Sequence, residues 1–195
     1  GGNDILKGGP GDDILNGGAG IDTADFSDAT GPITVDLAVS GPQPIGGGLG
    51  NDTLISIENI IGSNFGNTLV GDNNDNVLTG GAGNDILIGN GGNDTLIGNG
   101  GDDILRGGPG DDILDGGAGS DTADYSDATS GVTVDLNITG PQAVGGGLGT
   151  DTLISIENVI GSNFGDTITG DGNDNTLTGG SGNDTLSGGD GNDTL

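Results

Sequence analysis

"GGAGNDILI GNGGNDTLI GNGGDDILR GGPGDDILD GGAGSDTAD", residues 80–124, is one nine-residue phrase repeated five times without a gap. The sixth place is always aspartate: Asp85, Asp94, Asp103, Asp112 and Asp121. The eighth is apolar: Leu87, Leu96, Leu105, Leu114 and Ala123. Six places rich in Gly, Asn and Asp followed by an apolar-centred triplet read as a turn and a very short strand. Glycine at the first, second and fourth places permits positive φ and a tight curl. Side chains alternate along a strand, so an inward eighth residue sends the seventh and ninth outward. A three-residue strand has no local partner and has to pair with its equivalent in another repeat. Two turns close a coil of 18 residues, strands stack in parallel about 4.8 Å apart, and the eighth-place leucines fill the space between two sheets. The expected fold is an all-β parallel solenoid with a stack of turns along each edge.

A second period is longer. Residues 8–87 align without gaps on 107–186, with 60 identities in 80 positions. The chain therefore reads as one continuous solenoid over 1–195, built from units 1–99 and 100–195, the second short of completion, as in a slice of a longer array. Each unit departs from the nine-residue phrase twice, at 26–46 with its counterpart 125–145, and at "SIENII", 56–61, with its counterpart 155–160. Both departures, with "ITVDL" in the first and "LISIEN" at the second, read as longer strands that widen the coil; in the first, Ile33, Val35 and Leu37 alternate.

Composition agrees that this is no ordinary globule. Forty-eight of 195 residues are glycine, and 30 acidic residues against Lys7 and Arg106 leave a net charge of −28. Ordering each glycine is costly in entropy and like charge resists compaction, so the chain needs a stabiliser from outside. Nucleic acid and anionic membranes are poor partners for such a surface, and no membrane-inserting run is present. Cysteine and histidine are absent, so disulfides cannot help and only hard oxygen ligands remain for a metal.

The coil places Asp85, Asp103 and Asp121 on one edge and Asp94 and Asp112 on the other. Two carboxylates about 5 Å apart repel by roughly 3 kcal/mol at an effective dielectric of 20, and a stack accumulates the penalty. A divalent cation between turns reverses its sign. Calcium suits best, since it takes six to eight oxygens, backbone carbonyls included, in adaptable geometry.

"GGPGDDILN", "GGAGNDILI" and "GGSGNDTLS" resemble the Gly-Gly-x-Gly-x-Asp-x-U-x phrase, U being a large apolar residue, of the RTX (repeats-in-toxin) calcium-binding repeats. The resemblance covers nearly the whole chain and implies a right-handed parallel β-roll with multiple Ca2+ ions between successive turns. It also implies ligands: the sixth-place carboxylates Asp4, Asp13, Asp22, Asp52, Asp85, Asp94, Asp103, Asp112, Asp121, Asp151, Asp184 and Asp193. Carbonyls of second and fourth places complete the implied set, at Gly9, Gly11, Gly81, Gly83, Gly92, Gly101, Gly108, Gly110, Gly117 and Gly119. Asn67, Asn76 and Asn175 hold sixth places without charge, so calcium there should be weak or absent. Asp166 restores a charge in a loop, "GSNFGD", that lacks the second and fourth glycines.

Glu58 and Glu157 each have an aspartate nearby in sequence, as a glycosidase pair would, but nothing suggests the cleft such a pair needs. No enzyme activity is expected. The expected role is an extracellular calcium-binding structural module that folds on calcium: a segment of a surface protein, adhesin stalk, surface layer or filament. Solenoid ends and the outward Ile86, Ile88, Ile97, Ile104 and Ile113 suggest self-association, end to end or laterally. The RTX resemblance implies type I secretion from a Gram-negative bacterium. A rival reading is the calcium-binding secretion tail of an RTX protease, lipase or alginate epimerase; an ice-binding solenoid fits less well, because the second and third places vary.

Overall fold

Strands of two to six residues follow the expected pattern of one per phrase. The computed structural model describes all 195 residues, Gly1–Leu195, and its regular structure is 21 strands with no helix. One sheet runs Ile5–Leu6, Thr23–Asp25, Asn59–Ile61, Val77–Gly81, Thr95–Gly100, Ile113–Ala118 and Thr150–Ile154, all parallel, with Gln142–Ala143 antiparallel at its end. The other runs Thr34–Asp36, Thr68–Val70, Ile86–Ile88, Ile104–Arg106, Thr122–Asp124, Asn158–Ile160 and Thr176–Thr178. Two smaller three-stranded sheets complete the fold, one holding Ile14–Asn16 and the other Thr185–Ser187.

The register is the one the nine-residue phrase requires. Ile86 pairs with Ile104 and Leu87 with Leu105, and on the opposite sheet Leu78, Leu96 and Leu114 stack. Leu69, Leu78, Leu87, Leu96, Leu105 and Leu114 are completely buried, while Ile86 is 40% exposed. Each buried leucine contributes about 1.5–3 kcal/mol of burial free energy. The two sheets enclose a single cluster of 29 buried apolar residues.

Neither departure is one longer strand: "LISIEN", 54–59, is broken at 56–58 between Asn51–Ile55 and Asn59–Ile61, and the insertion at 26–46 folds back. Ile33 and Val35 are buried as the alternation required, but Thr34–Asp36 has only three residues. The chain then doubles back: Thr34 N–H donates to the Ile45 carbonyl at 2.8 Å, and Gln43–Pro44 runs antiparallel to 51–52. Buried Gln43 pins this meander, its Oε1 accepting the Asp36 N–H at 2.8 Å and its Nε2 donating to the Asp36 carbonyl at 2.9 Å. Gln142 and Asp135 repeat the arrangement. Pro42, Pro44 and the run Gly46–Gly47–Gly48 explain the reversals, since proline fixes φ and all three glycines have positive φ.

The meander has a topological effect. Ile113–Ala118 is the counterpart of Ile14–Asn16, yet it joins the sheet of Ile5–Leu6 and Thr23–Asp25, whose own counterparts lie in the opposite sheet. Successive units are thus turned by half a coil, and their meanders attach to different sheets.

First-place glycines in 80–124 do not have positive φ; close approach selects them instead. A Cβ on Gly98 would overlap Asp103 Oδ2 and stand 2.6 Å from the Gly116 carbonyl oxygen. Gly100, at a third place, has its nearest such neighbour at 3.8 Å. Gly98→Ala should therefore lower the stability of the calcium-loaded protein by about 1–3 kcal/mol, with Gly100→Ala near neutral, as read by thermal melting.

Candidate metal sites

The alternation that buries the eighth place buries the sixth as well, so the turn aspartates point inward. Asp22, Asp52, Asp85, Asp94, Asp103, Asp112, Asp121 and Asp151 are at most 1% exposed. Each takes the backbone N–H of the equivalent residue one coil earlier. Along one edge Asn67 donates to Asp85 Oδ1, Asp85 to Asp103 and Asp103 to Asp121, at 2.7, 2.7 and 2.8 Å. Along the other Asn76 donates to Asp94, Asp94 to Asp112 and Asp112 to Asp151, at 2.8, 2.8 and 3.1 Å. Asp4 donates to Asp22, Asp13 to Asp52, Asp166 to Asp184 and Asn175 to Asp193. All twelve predicted aspartates thus belong to these ladders, Asp4 and Asp13 only as donors.

The second oxygen is different. Oδ2 of Asp13, Asp22, Asp52, Asp85, Asp94, Asp103, Asp112, Asp121 and Asp151 is buried with no hydrogen-bond partner. A buried, half-satisfied carboxylate is costly in its charged form. Burial accordingly raises Asp85 and Asp112 to about 6, and Asp94, Asp103 and Asp151 to about 7. Asp52 and Asp121 are also raised, burial again being the main cause.

Backbone oxygens lie close by. A Cβ on Gly110 would overlap the Gly92 carbonyl, one on Gly119 the Gly101 carbonyl, and one on Gly50 the Gly11 carbonyl; on Gly101 it would stand 2.5 Å from the Gly83 carbonyl. Fourth-place carbonyls therefore face the next coil across the stack, and so does Gly110, towards Gly149. At second places Asn90 and Asn99 face Gly108 and Gly117, and both asparagines take the left-handed backbone, φ 75° and 72°. Gly9 and Gly117 likewise have positive φ, 79° and 97°, whereas Gly81, the last residue of Val77–Gly81, does not; Gly81 and Gly117 both pair with Asn99. No three acidic side chains converge on one point, so an ion here needs carbonyls as well as carboxylates. That all-oxygen donor set, with an unpartnered carboxylate oxygen at turn after turn, fits calcium. When bound, it would neutralise the ladder and join adjacent turns.

Asparagine turns close by another route. Asn76 Nδ2 donates to the Glu58 carbonyl at 2.7 Å while its Oδ1 accepts the Asp72 N–H at 2.8 Å. Asn175 does the same with Glu157 and Asp171. Asn67 donates to Asp85 Oδ1 and the Ser63 carbonyl, both at 2.9 Å. Asp166 has Oδ1 and Oδ2 occupied by the Ser162 hydroxyl and N–H, each at 2.7 Å. None of these four side chains keeps a buried unpartnered atom. An amide or hydroxyl supplies the donor, which gives a reason for the weak calcium binding expected there.

The sequence reading missed Glu58 and Glu157. Counting back from Asn59–Ile61 places Glu58 at the sixth position of a phrase lacking its first three residues, and its Oε2 accepts the Asp22 N–H at 2.7 Å. Glu157 accepts from Asp121 at 2.9 Å. The longer side chain spans the shortened turn. The two basic side chains stay outside the ladders: Lys7 pairs with Asp25 at 3.2 Å, and Arg106, its counterpart, with Asp124.

A family model for the RTX calcium-binding nonapeptide repeat matches four times, at residues 1–24, 61–96, 88–123 and 160–195, together more than half of the chain. No curated protein matches it.

On stepwise removal of calcium, amide hydrogen exchange should show residues 62–79 and 161–178 keeping protection to lower free calcium than residues 80–121. The raised aspartates set the pH response. A folded chain with these groups near 6–7 binds protons that the unfolded chain has released, so their contribution is present at low pH and lost as pH rises through that range. In chelator, the sheet signal in circular dichroism should grow between pH 8 and pH 5, whereas calcium affinity should fall over the same interval.

Proposed function

Because the chain belongs to the RTX calcium-binding nonapeptide repeat family, we propose that it is an extracellular, non-catalytic structural module that folds when calcium joins its turns. The observation that carries this reading is the set of nine buried carboxylate oxygens without partners, spaced along the turn ladders. Metal binding of this kind is folding free energy, because the stacked site does not exist in the open chain. Extracellular calcium modules need affinities of only about 10⁻⁴–10⁻³ M. The chain would stay open during export at low calcium and close outside, by type I secretion from a Gram-negative cell as the RTX resemblance implies.

A building role is favoured by the two-unit construction, in which a 99-residue pattern recurs with its meander, shortened turn and ladders. Such a segment suits a surface protein, stalk, surface layer or filament. Ile86, Ile104 and Ile113, 36–41% exposed, offer apolar ground for lateral contact between copies. One calcium titration at neutral pH reads both parts. Circular dichroism should show sheet forming as calcium approaches millimolar levels, and light scattering should show mass above the monomer at high concentration. A complete sheet spectrum in chelator would overturn calcium-driven folding, and a monomer throughout would overturn assembly.

A further inference from the structure

The loop at 17–22, "GGAGID", stacks on the shortened turn at Ser56, Ile57 and Glu58 rather than on another full phrase. Asp22 N–H donates to Glu58 Oε2 at 2.7 Å, and Glu58 N–H returns to the Asp22 carbonyl at 3.0 Å. Glu58 Oε1 and Asp22 Oδ2 are left over. Asp22 is completely buried and its Oδ2 has no partner. The Ser56 carbonyl oxygen lies near that oxygen, beside the same glycine: a Cβ on Gly17 would overlap both atoms. Ser56 holds the left-handed backbone, φ 50°, unusual for a residue with a side chain, in the turn that presents this carbonyl. The second unit repeats the arrangement, with Ser155 at φ 49°, its carbonyl against Gly116, and Asp121 buried with Oδ2 unpartnered.

We infer that each shortened turn completes a divalent-cation site of its own, held by Asp22, Glu58 and the Ser56 carbonyl in the first unit and by Asp121, Glu157 and the Ser155 carbonyl in the second. Two carboxylates, one of them with a buried unpartnered oxygen, and a carbonyl are a hard-oxygen set, suited to calcium. The role of Glu58 and Glu157 is then more than accepting an N–H: one oxygen fixes the turn and the other is a ligand. This rests on the calcium reading above and adds two sites that the nine-residue phrase does not predict.

The double variant Glu58→Gln/Glu157→Gln separates the two roles, since the glutamine carbonyl still accepts the Asp22 and Asp121 N–H groups but lacks the charge. Calcium bound per chain, measured by equilibrium dialysis with metal analysis, should fall by two relative to the unsubstituted chain, with the sheet spectrum retained. An unchanged count overturns the inference and leaves the calcium reading standing; no calcium on the unsubstituted chain overturns both. These are the chain's only glutamates, so a second measurement needs no substitution. With ¹³C-labelled glutamate, the isotope-shifted carboxylate stretch should move to a metal-bound position on calcium loading. A band that stays at the free-carboxylate position in saturating calcium, while the sheet forms, overturns the inference.

Discussion

Everything in this fold depends on a carboxylate placed where only half of it can be satisfied. One oxygen of each of Asp22, Asp52, Asp85, Asp94, Asp103, Asp112, Asp121 and Asp151 holds the N–H of the preceding coil and so sets the spacing of the stack. The other is sealed from water without a donor. Such a group is tolerable protonated or beside a cation and costly otherwise. The hydrophobic column cannot offset many such sites: Leu87 and Leu96 are fully buried, but each coil contains only two residues of this kind. Stacking and charge are therefore coupled at every rung.

Against that background the asparagine turns have a clear meaning. Asn67, Asn76 and Asn175 keep the shape of the aspartate side chain but carry their own donor, and Asp166 borrows one from Ser162. These turns follow the meander in each unit, next to the core residues Val35, Ile60 and Leu69 and their counterparts Val134, Val159 and Ile168. Each unit thus combines a stretch satisfied from within with a stretch whose closure is left to the medium.

Much of this was legible beforehand because the nine-residue phrase specifies both periods of the coil: the turn by its glycines and the strand by its apolar eighth place. The RTX phrase and the placing of the aspartates along two edges lie within one repeat, where spacing is sufficient; that the carboxylates turn inward and are buried shows only in the stacked coils. What escaped depends on relations between distant segments. Spacing alone makes a first-place glycine such as Gly98 a source of backbone freedom, whereas it makes room for Asp103 and for Gly116 one coil on. The 26–46 insertion has the alternation of a strand, but Gln43 and the three glycines from Gly46 fold it back on itself. Glu58 was hidden because its turn is three residues short, so the sixth place is found by counting from the following strand and not from the preceding glycine.

The half-coil offset between units governs how a tandem array would look from outside. With the meander of one unit in one sheet and that of the next in the other, any bulge it introduces would be answered one unit later by the same bulge turned half-way round the axis. A partner approaching from one side would meet the same landmark only at alternate units. Such an array is a ribbon with two equivalent sides, and it can present one surface to a support and an identical one to whatever lies beyond.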